Sequence, residues 1–459
     1  MKKIQRKSLI QKWAPVLESD IGAPIRTQAE ASVLATLLEN QIKLNTGYMQ
    51  ESANLSTDVA VYQQYALPLI RRQFPELLAM NTVAVIPTTT PNGIYFALRY
   101  LYDGTSKTGT FRNGQKKEVG FDLDTTFTGI QNGFVAPWST NQGELLSNYM
   151  EDTTVANGVG LVSGAGKIKT ASIKVIKGSV IVGTRAIKSQ YTLELQQDLA
   201  SVHGQDVEAL LLEALQFEIQ QEIDREILGA QLYVAQTPAL GGEAAIPVDI
   251  NTVSETIKGR WAGEAIAGAV VNTILAVANK ISVVSRMGTG NFAICSPDVV
   301  AMLSTLNSGI YTPTYLNTNV PQAYTGGVAE AGSVLGGQIK VYRDIYADAS
   351  YALVGYKGPR QGESGIIFMP YIPYIFCKTA GQEDGSPRLI VKSRYAIVAN
   401  LLGAGQFYRV VQFTGVGGII LGINSAEDTY AWEKTGGTYD PQSYGDLGGV
   451  GTGEGDTNI

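Results

Sequence analysis

The sequence predicts an α+β fold organised around one long helix. Three observations carry this. Val207, Leu210, Leu211, Ala214, Leu215, Ile219, Ile223 and Ile227 recur as one continuous apolar stripe at helical spacing. Runs rich in β-branched residues precede it, Ser172-Ile-Lys-Val-Ile-Lys177 and Ser179-Val-Ile-Val182. From about residue 236 to 412 helical and strand patterns alternate without an internal repeat. At about 150 residues per domain, a chain of 459 residues suggests roughly three units.

Residues 1–51 read as a helical leader. Leu9, Ile10, Trp13, Val16 and Leu17 keep helical spacing, and Pro15 bends or ends that helix. A second helix is expected over 27–44, with Val33, Leu34, Leu37, Leu38 and Ile42 on one side and Gly47 as its stop. Both are amphipathic without an obvious local partner, so they are expected to dock onto something else. Over 52–99 a helix at 59–72 leads to a first strand, punctuated by Pro75, Pro87 and Pro91. Residues 100–170 are rich in Gly, Thr, Ser and Asn without helical period, which predicts a long β-hairpin or extended arm.

Strands resume over 171–191, separated at Gly178. Asp206 is a good N-cap for the long helix, expected over 206–228 and about 34 Å long before Gly229 ends it. Beyond it a helix is expected at 262–286, a strand at 291–295 and a helix from Pro297 to Leu306. Strands follow at 338–342, 351–356, 365–369 and 388–399. Residues 414–459 are Gly-rich and acidic without period, a tail expected to be mostly disordered.

Catalytic constellations fail on inspection. His203 is the only histidine and lies in Ser201-Val-His203-Gly-Gln-Asp206, where a capping or interface role fits better than catalysis. Cys295 and Cys377 sit in apolar contexts and read as reduced, buried thiols. One histidine and two distant cysteines do not furnish a zinc set, and no disulfide framework exists. In Gly158-Val-Gly-Leu-Val-Ser-Gly-Ala-Gly-Lys167, Leu161 and Ile168 occupy positions where a phosphate loop needs Gly and Ser or Thr. Glu218, Glu222 and Glu226 recur every fourth residue and read as a solvated acidic ridge, with Arg225 beside it for exchangeable ion pairs. No catalytic, cofactor-binding or metal residue is assigned, and an enzyme is not expected.

The formal net charge is −6. From Gly415 onward seven acids face Lys434 alone, so residues 1–414 sum to zero. A neutral body argues against a dedicated nucleic-acid surface, which needs clustered Lys and Arg. The basic start is followed by no signal-peptide apolar region, and the apolar stretch 265–278 is interrupted by Asn272 and too short for the ~20 residues of a membrane span. Tyr outnumbers Phe, 23 to 12, which suits surfaces wet on one side and buried on the other.

Several segments, in order, resemble the major capsid proteins of T-even-type tailed bacteriophages. They are Tyr191-Thr-Leu-Glu-Leu-Gln-Gln-Asp-Leu-Ala-Ser-Val-His-Gly-Gln-Asp206, Glu218-Ile-Gln-Gln-Glu-Ile-Asp-Arg-Glu226 and Arg260-Trp-Ala-Gly-Glu264. Val334-Leu-Gly-Gly-Gln-Ile-Lys-Val-Tyr-Arg-Asp-Ile-Tyr-Ala347, Val354-Gly-Tyr-Lys-Gly-Pro359, Lys392-Ser-Arg-Tyr395 and Phe407-Tyr-Arg-Val-Val411 follow. The opening also fits, through Lys12-Trp13 and Leu38-Glu-Asn-Gln41, so the resemblance covers about residues 8–413. Leu401-Leu402 depart from the family's Pro-Phe, and 100–170 is short for the subdomain inserted there in some members.

The resemblance implies the Hong Kong ninety-seven-type phage coat fold. Residues 1–51 would be a scaffold-facing leader that is cleaved off, and 52–99 the N-terminal arm with the first strand. Residues 100–170 would be an extended E-loop overlapping a neighbour. A peripheral domain (171–235, spine helix 206–228), an axial domain (236–385), a return to the peripheral domain (386–413) and the tail (414–459) would follow. It further implies a shell subunit that forms hexameric capsomers, assembles in the host cytoplasm and encloses double-stranded DNA without reading its sequence. Its partners would be sister subunits of its own and neighbouring capsomers, vertex-protein pentamers, scaffold or core proteins, a prohead protease and decoration proteins. Arg260, Trp261, Glu264, Lys357, Arg394 and Tyr395 would be structural or interface residues. Family proteases cut after Glu with an apolar residue two before it, so Glu51 and Ser52, in Met49-Gln-Glu51, mark the expected cut just past a helix; Leu37-Leu-Glu39 also fits but lies within one. Encapsulin-like bacterial compartments share the fold and are the alternative reading.

Overall fold

The computed structural model describes residues 2–18, 25, 27–51, 70–71, 74, 77–103, 130–132, 134–136, 170–204, 206–250, 262–307, 309–313, 328–359, 363–380, 386–401 and 403–414. In chain order these form α1 (Lys2–Leu17), α2 (Gln28–Glu51), α3 (Leu78–Thr82), β1 (Ala84–Val85), β2 (Asn92–Asp103), β3 (Ile130–Asn132), β4 (Phe134–Ala136), β5 (Thr170–Ile181), β6 (Gly183–Gln190), α4 (Leu193–His203) and α5 (Val207–Gln236). Then come β7 (Ile246–Asp249), α6 (Ala262–Ser285), β8 (Phe292–Cys295), α7 (Pro297–Ser304), β9 (Tyr311–Pro313), β10 (Val328–Val334), β11 (Ile339–Asp344), β12 (Tyr351–Gly355), β13 (Ile366–Ala380), β14 (Pro387–Ala399) and β15 (Tyr408–Thr414). The mixture is α+β, as expected from the sequence.

A seven-stranded mixed sheet, ordered β7-β15-β12-β8-β11-β10-β9, has its central strands buried on both faces. Side chains alternate along a strand, so each strand feeds two cores. Ala293, Cys295, Val341, Ala352, Val354 and Val411 meet α6 and α7 through Ile266, Val270, Ile274, Val299 and Leu303. Phe292, Ile294, Tyr342, Leu353 and Val410 join the core that holds Ile219, Ile223, Ile227 and Val234 of α5. The apolar run that looked too short for a membrane span belongs to Ile266–Ser285, which is long and apolar enough by length and composition. Its inward side chains pack on the sheet.

A second sheet, ordered β1-β13-β14-β6, lies against α5 through shared core residues such as Phe368, Val391 and Tyr395. β13 runs well past the expected 365–369, through Pro370 and Pro373, with register shifts around both. Proline has no ladder N–H, so it fits an edge strand or bulge, and β1 accompanies β13 only at its start. β13 thus belongs to the four-stranded sheet with β14, and β15 to the seven-stranded one.

Helix boundaries also differ from expectation. Asp206 caps α5 by accepting from the Glu208 amide at 3.0 Å, but the helix passes Gly229 and ends at Gln236. Interior glycine costs only about 1 kcal/mol relative to alanine, less than the burial of Ala230, Val234 and Ala235 beyond it returns. α2 likewise continues through Gly47 to Glu51, and Pro15 sits in the last turn of α1.

The chain divides into two compact units, residues 1–94 with 179–459, and residues 95–178. In the second, β2 pairs with β5 and β3 pairs with β4. Strand β5 runs through Gly178 rather than breaking there. A Cβ at that position would lie 2.4 Å from the Tyr95 ring, so the tyrosine occupies the space a side chain would need. Most of the helix expected at 59–72, of the arm at 100–170, the Gly-rich segment 158–167 and the tail beyond Thr414 lie outside the described residues.

Candidate functional site

The described residues hold no group of three or more His, Cys, Asp or Glu side chains able to take a metal ion. What they offer is a set of surfaces and of ties that position them. The first is the leader. Trp13 and Leu17 of α1 and Val33, Leu34, Leu37 and Leu38 of α2 are buried in the same core as Ile70, Phe74, Phe368 and Tyr374. Asn40, also buried, donates through Nδ2 to the carbonyls of Thr88 (2.8 Å) and Tyr371 (3.0 Å), at the bulge of β13. Lys12 pairs with Glu39 at 2.7 Å, the Trp13 indole donates to the same carboxylate, and Arg71 donates to the Leu17 carbonyl. The amphipathic helices that lacked a visible partner in the sequence therefore dock on the chain's own body. Each buried leucine contributes roughly 1.5–3 kcal/mol to that docking.

The expected acidic ridge is a junction. Arg185 of β6 reaches Glu222 at 2.7 Å and Glu226 at 2.5 Å, and the Tyr395 hydroxyl of β14 donates to Glu226. Burial, and then Glu226 beside it, push the Tyr395 phenol above the usual range. Two strands of the four-stranded sheet are thereby tied to the middle of α5. Arg225, expected to serve the ridge, turns the other way. It pairs with buried Asp344 of β11 at 2.5 Å, and Asp344 also accepts from the Tyr351 hydroxyl at 2.7 Å. The Arg225 guanidinium lies 5.5 Å from the Tyr346 ring centre. Residue 225 thus binds α5 to the seven-stranded sheet while residues 222 and 226 bind it to the four-stranded one.

Asp224 points inward between them, fully buried, and accepts from the Leu78 amide at the start of α3 at 2.9 Å. Burial raises its pKa well above the carboxylate range, against the opposing pull of the Leu78 amide. A carboxyl raised on folding contributes fully below its unfolded pKa and loses that contribution as pH rises through the folded value. Asp224→Asn keeps an acceptor for Leu78 without a charge, so its stability relative to the parent chain should climb between pH 4.5 and pH 8. Denaturant midpoints at the two pH values check this; a constant difference contradicts it.

Of the residues singled out from sequence, Tyr395 is in the junction and Arg394 stacks on Tyr371 at 5.4 Å from the ring centre. Lys357 donates from Nζ to the Met80 carbonyl of α3, and burial pulls its ammonium down to about 8. Its backbone exchanges two hydrogen bonds with the Asn291 side chain. Glu51 is the last residue of α2 rather than a residue beyond the helix, and Glu264 lies in α6. Ser52, Arg260 and Trp261 lie outside the described residues. His203 ends α4, exposed, and of the two cysteines only Cys295 is fully buried. The sequence analysis gave no role to Arg185, nor to Asn40 and Asp344 within the segments it quoted, because each finds its partner across a long separation.

Among the described residues, each unit carries an exposed apolar surface. In the unit 95–178, Tyr95 and Gly178 share one face of the β2–β5 ribbon. Alternation then puts Phe96, Leu98 and Tyr100 of β2, and Ile173 and Val175 of β5, on the opposite face. All five are exposed, Phe96 and Ile173 by about two-thirds (66% and 65%). On the other unit α4 buries no residue, and Leu193, Leu195, Val202, Leu210 and Phe217 of α4 and α5 are exposed.

The family model for Major capsid protein Gp23 matches residues 59–417, a span that leaves the leader outside it. The major capsid protein of Salmonella phage ViI is 30% identical over 412 residues, covering 87% of this chain and 91% of the relative. That of Enterobacteria phage T4 is 26% identical over 481 residues, covering 86% and 92%. Among solved structures, the capsid of Myoviridae phage XM1 aligns at a TM-score of 0.39 and 7% identity over 73% of this chain and 91% of that one, a likeness too weak to carry an argument. The span of the family match and the length of the shared sequence decide the matter: the chain belongs to the Major capsid protein Gp23 family, a self-assembling structural protein of the tailed-phage virion and not an enzyme.

Proposed function

We propose that the chain forms hexameric capsomers of a Hong Kong ninety-seven-type shell around double-stranded DNA, its copies interlocked through the unit 95–178. The observation that carries this is the ribbon face of Phe96, Leu98, Tyr100, Ile173 and Val175. A two-stranded ribbon is marginal in water by itself, and a contiguous apolar face on it marks an interaction surface. In a shell every subunit meets further copies, so a sister subunit is the cover such a face finds. Interfaces of this obligate kind bury more than roughly 2,000 Å² and favour limbs over single pockets.

In the same reading the leader is removed after Glu51 by a prohead protease, scaffold or core proteins meet the chain before that step, and vertex pentamers and decoration proteins join the shell. Lys357, Arg394 and Tyr395 act as structural ties, and Arg260, Trp261 and Glu264 stand with them as interface residues. Support for the ties comes from the hydrogen bonds and stacking around the first three. Sedimentation and electron microscopy of the chain co-expressed with its scaffold test the proposal. Closed shells or hexamers are expected; a lone subunit at every concentration contradicts it.

A further inference from the structure

Cutting a chain and releasing the piece are separate events when the piece is docked. Helix α2 runs unbroken from Gln28 to Glu51, and Leu34, Leu37, Leu38 and Gln41 within it are fully buried. The ten residues from Gln41 to Glu51 span about 15 Å of helix at 1.5 Å per residue. Met49-Gln-Glu51 forms the terminal turn of the helix, more than two turns past Asn40, where fraying can present it to a protease while Leu34, Leu37, Leu38 and Asn40 stay seated. Helix ends fray readily, whereas a protease needs an extended strand of substrate.

The second consensus, Leu37-Leu-Glu39, is in the opposite situation. Leu37 and Leu38 are fully buried, and the Glu39 carboxylate accepts from Lys12 Nζ at 2.7 Å and the Trp13 indole at 3.4 Å. No extended conformation is open to it while α2 is seated. We propose that residues 1–51, once severed after Glu51, stay bound to the body as a docked peptide, and that Glu39 becomes a second cut only after the body releases them. This rests on the reading that the leader is removed by proteolysis. Each cut is a hydrolysis: water adds across the Glu51–Ser52 or Glu39–Asn40 bond, leaving a carboxylate on the glutamate and an ammonium on the next residue. The body thus carries a binding groove for its own leader, with Asn40 and the leucine row as its contacts.

Limited digestion of the full chain with a glutamate-specific endopeptidase tests this, with cut sites read by mass spectrometry and association by size exclusion. The expected result is cutting after Glu51 at least tenfold faster than after Glu39, with fragment 1–51 co-eluting with the body. Mild denaturant should abolish the difference and free the fragment. Comparable cutting at Glu39 in the native chain, or a fragment that elutes free, overturns the proposal. Asn40→Ala, and separately Leu37→Ala, should speed release of the cut fragment at least tenfold; unchanged retention in both overturns the assigned contacts. The N-terminus of capsid-extracted protein separates the two readings. A start other than Ser52 removes the Glu51 step, while a start at Ser52 with a freely lost fragment removes the docking alone.

Discussion

Leu98→Asp combined with Val175→Asp should abolish shell and hexamer formation while leaving the subunit's own unfolding midpoint within error. Both side chains are exposed in the subunit and lie on the open face of the β2–β5 ribbon, so in the lone chain a carboxylate there remains in water. In the assembled shell it would be buried against a sister subunit without a partner. Substitutions at the desolvated centre of an interface cost at least about 2 kcal/mol each. Together they lower the association constant by roughly a thousandfold. Leu98→Ile, which keeps the apolar surface, should assemble normally. Shells of ordinary yield from the double variant would mean that the ribbon face is not what joins the copies.

Arg225→Ala should destabilise the subunit by about 3 kcal/mol, because it leaves the buried Asp344 carboxylate without its cation. The Tyr351 hydroxyl and the Tyr346 amide still bond Asp344, which places the cost at the lower end for a broken buried pair. Arg185→Ala provides the contrast. Its partners Glu222 and Glu226 reach solvent more, so that loss should be about 1 kcal/mol. Arg225→Lys retains a charge and should recover part of the stability. Denaturant unfolding of the three variants decides; equal effects of Arg225→Ala and Arg185→Ala contradict the assignment of Asp344 as the buried partner.

The elements that sequence reveals best are those whose burial is local and periodic. The α5 stripe from Val207 to Ile227 is of that kind, and so is the apolar run of α6. Residue-by-residue alternation in β8 and β12 was visible only as short apolar runs, because these strands are buried on both faces and show no polar side. The leader's apolar rows announced that it docks but not on what, since a row of leucines looks the same against a scaffold or against its own body. Gly178 and Gly229 read as breaks because glycine is weak in regular structure; Tyr95 in one case and the buried end of α5 in the other outweigh that weakness. The polar ties were the least legible. Arg185 finds Glu222, Glu226 and Tyr395 only after β6 and β14 are paired, and no spacing in the chain encodes that meeting.

The shell reading also explains why no pocket chemistry emerges. Its charged and polar ties among the described residues hold α5 between two sheets, and the unit 95–178 carries a ribbon of its own. A closed, symmetric assembly repeats each contact in every copy, so surfaces rather than pockets carry its function.

Amide hydrogen exchange across residues 95–100 and 173–178, measured on the free subunit and on assembled shells, tests the central claim most directly. Protection in these two strands should rise at least tenfold on assembly, with little change in α6 or β8. Equal exchange in the two states would show that the apolar ribbon stays uncovered in the shell, and the account of how the copies join would be wrong.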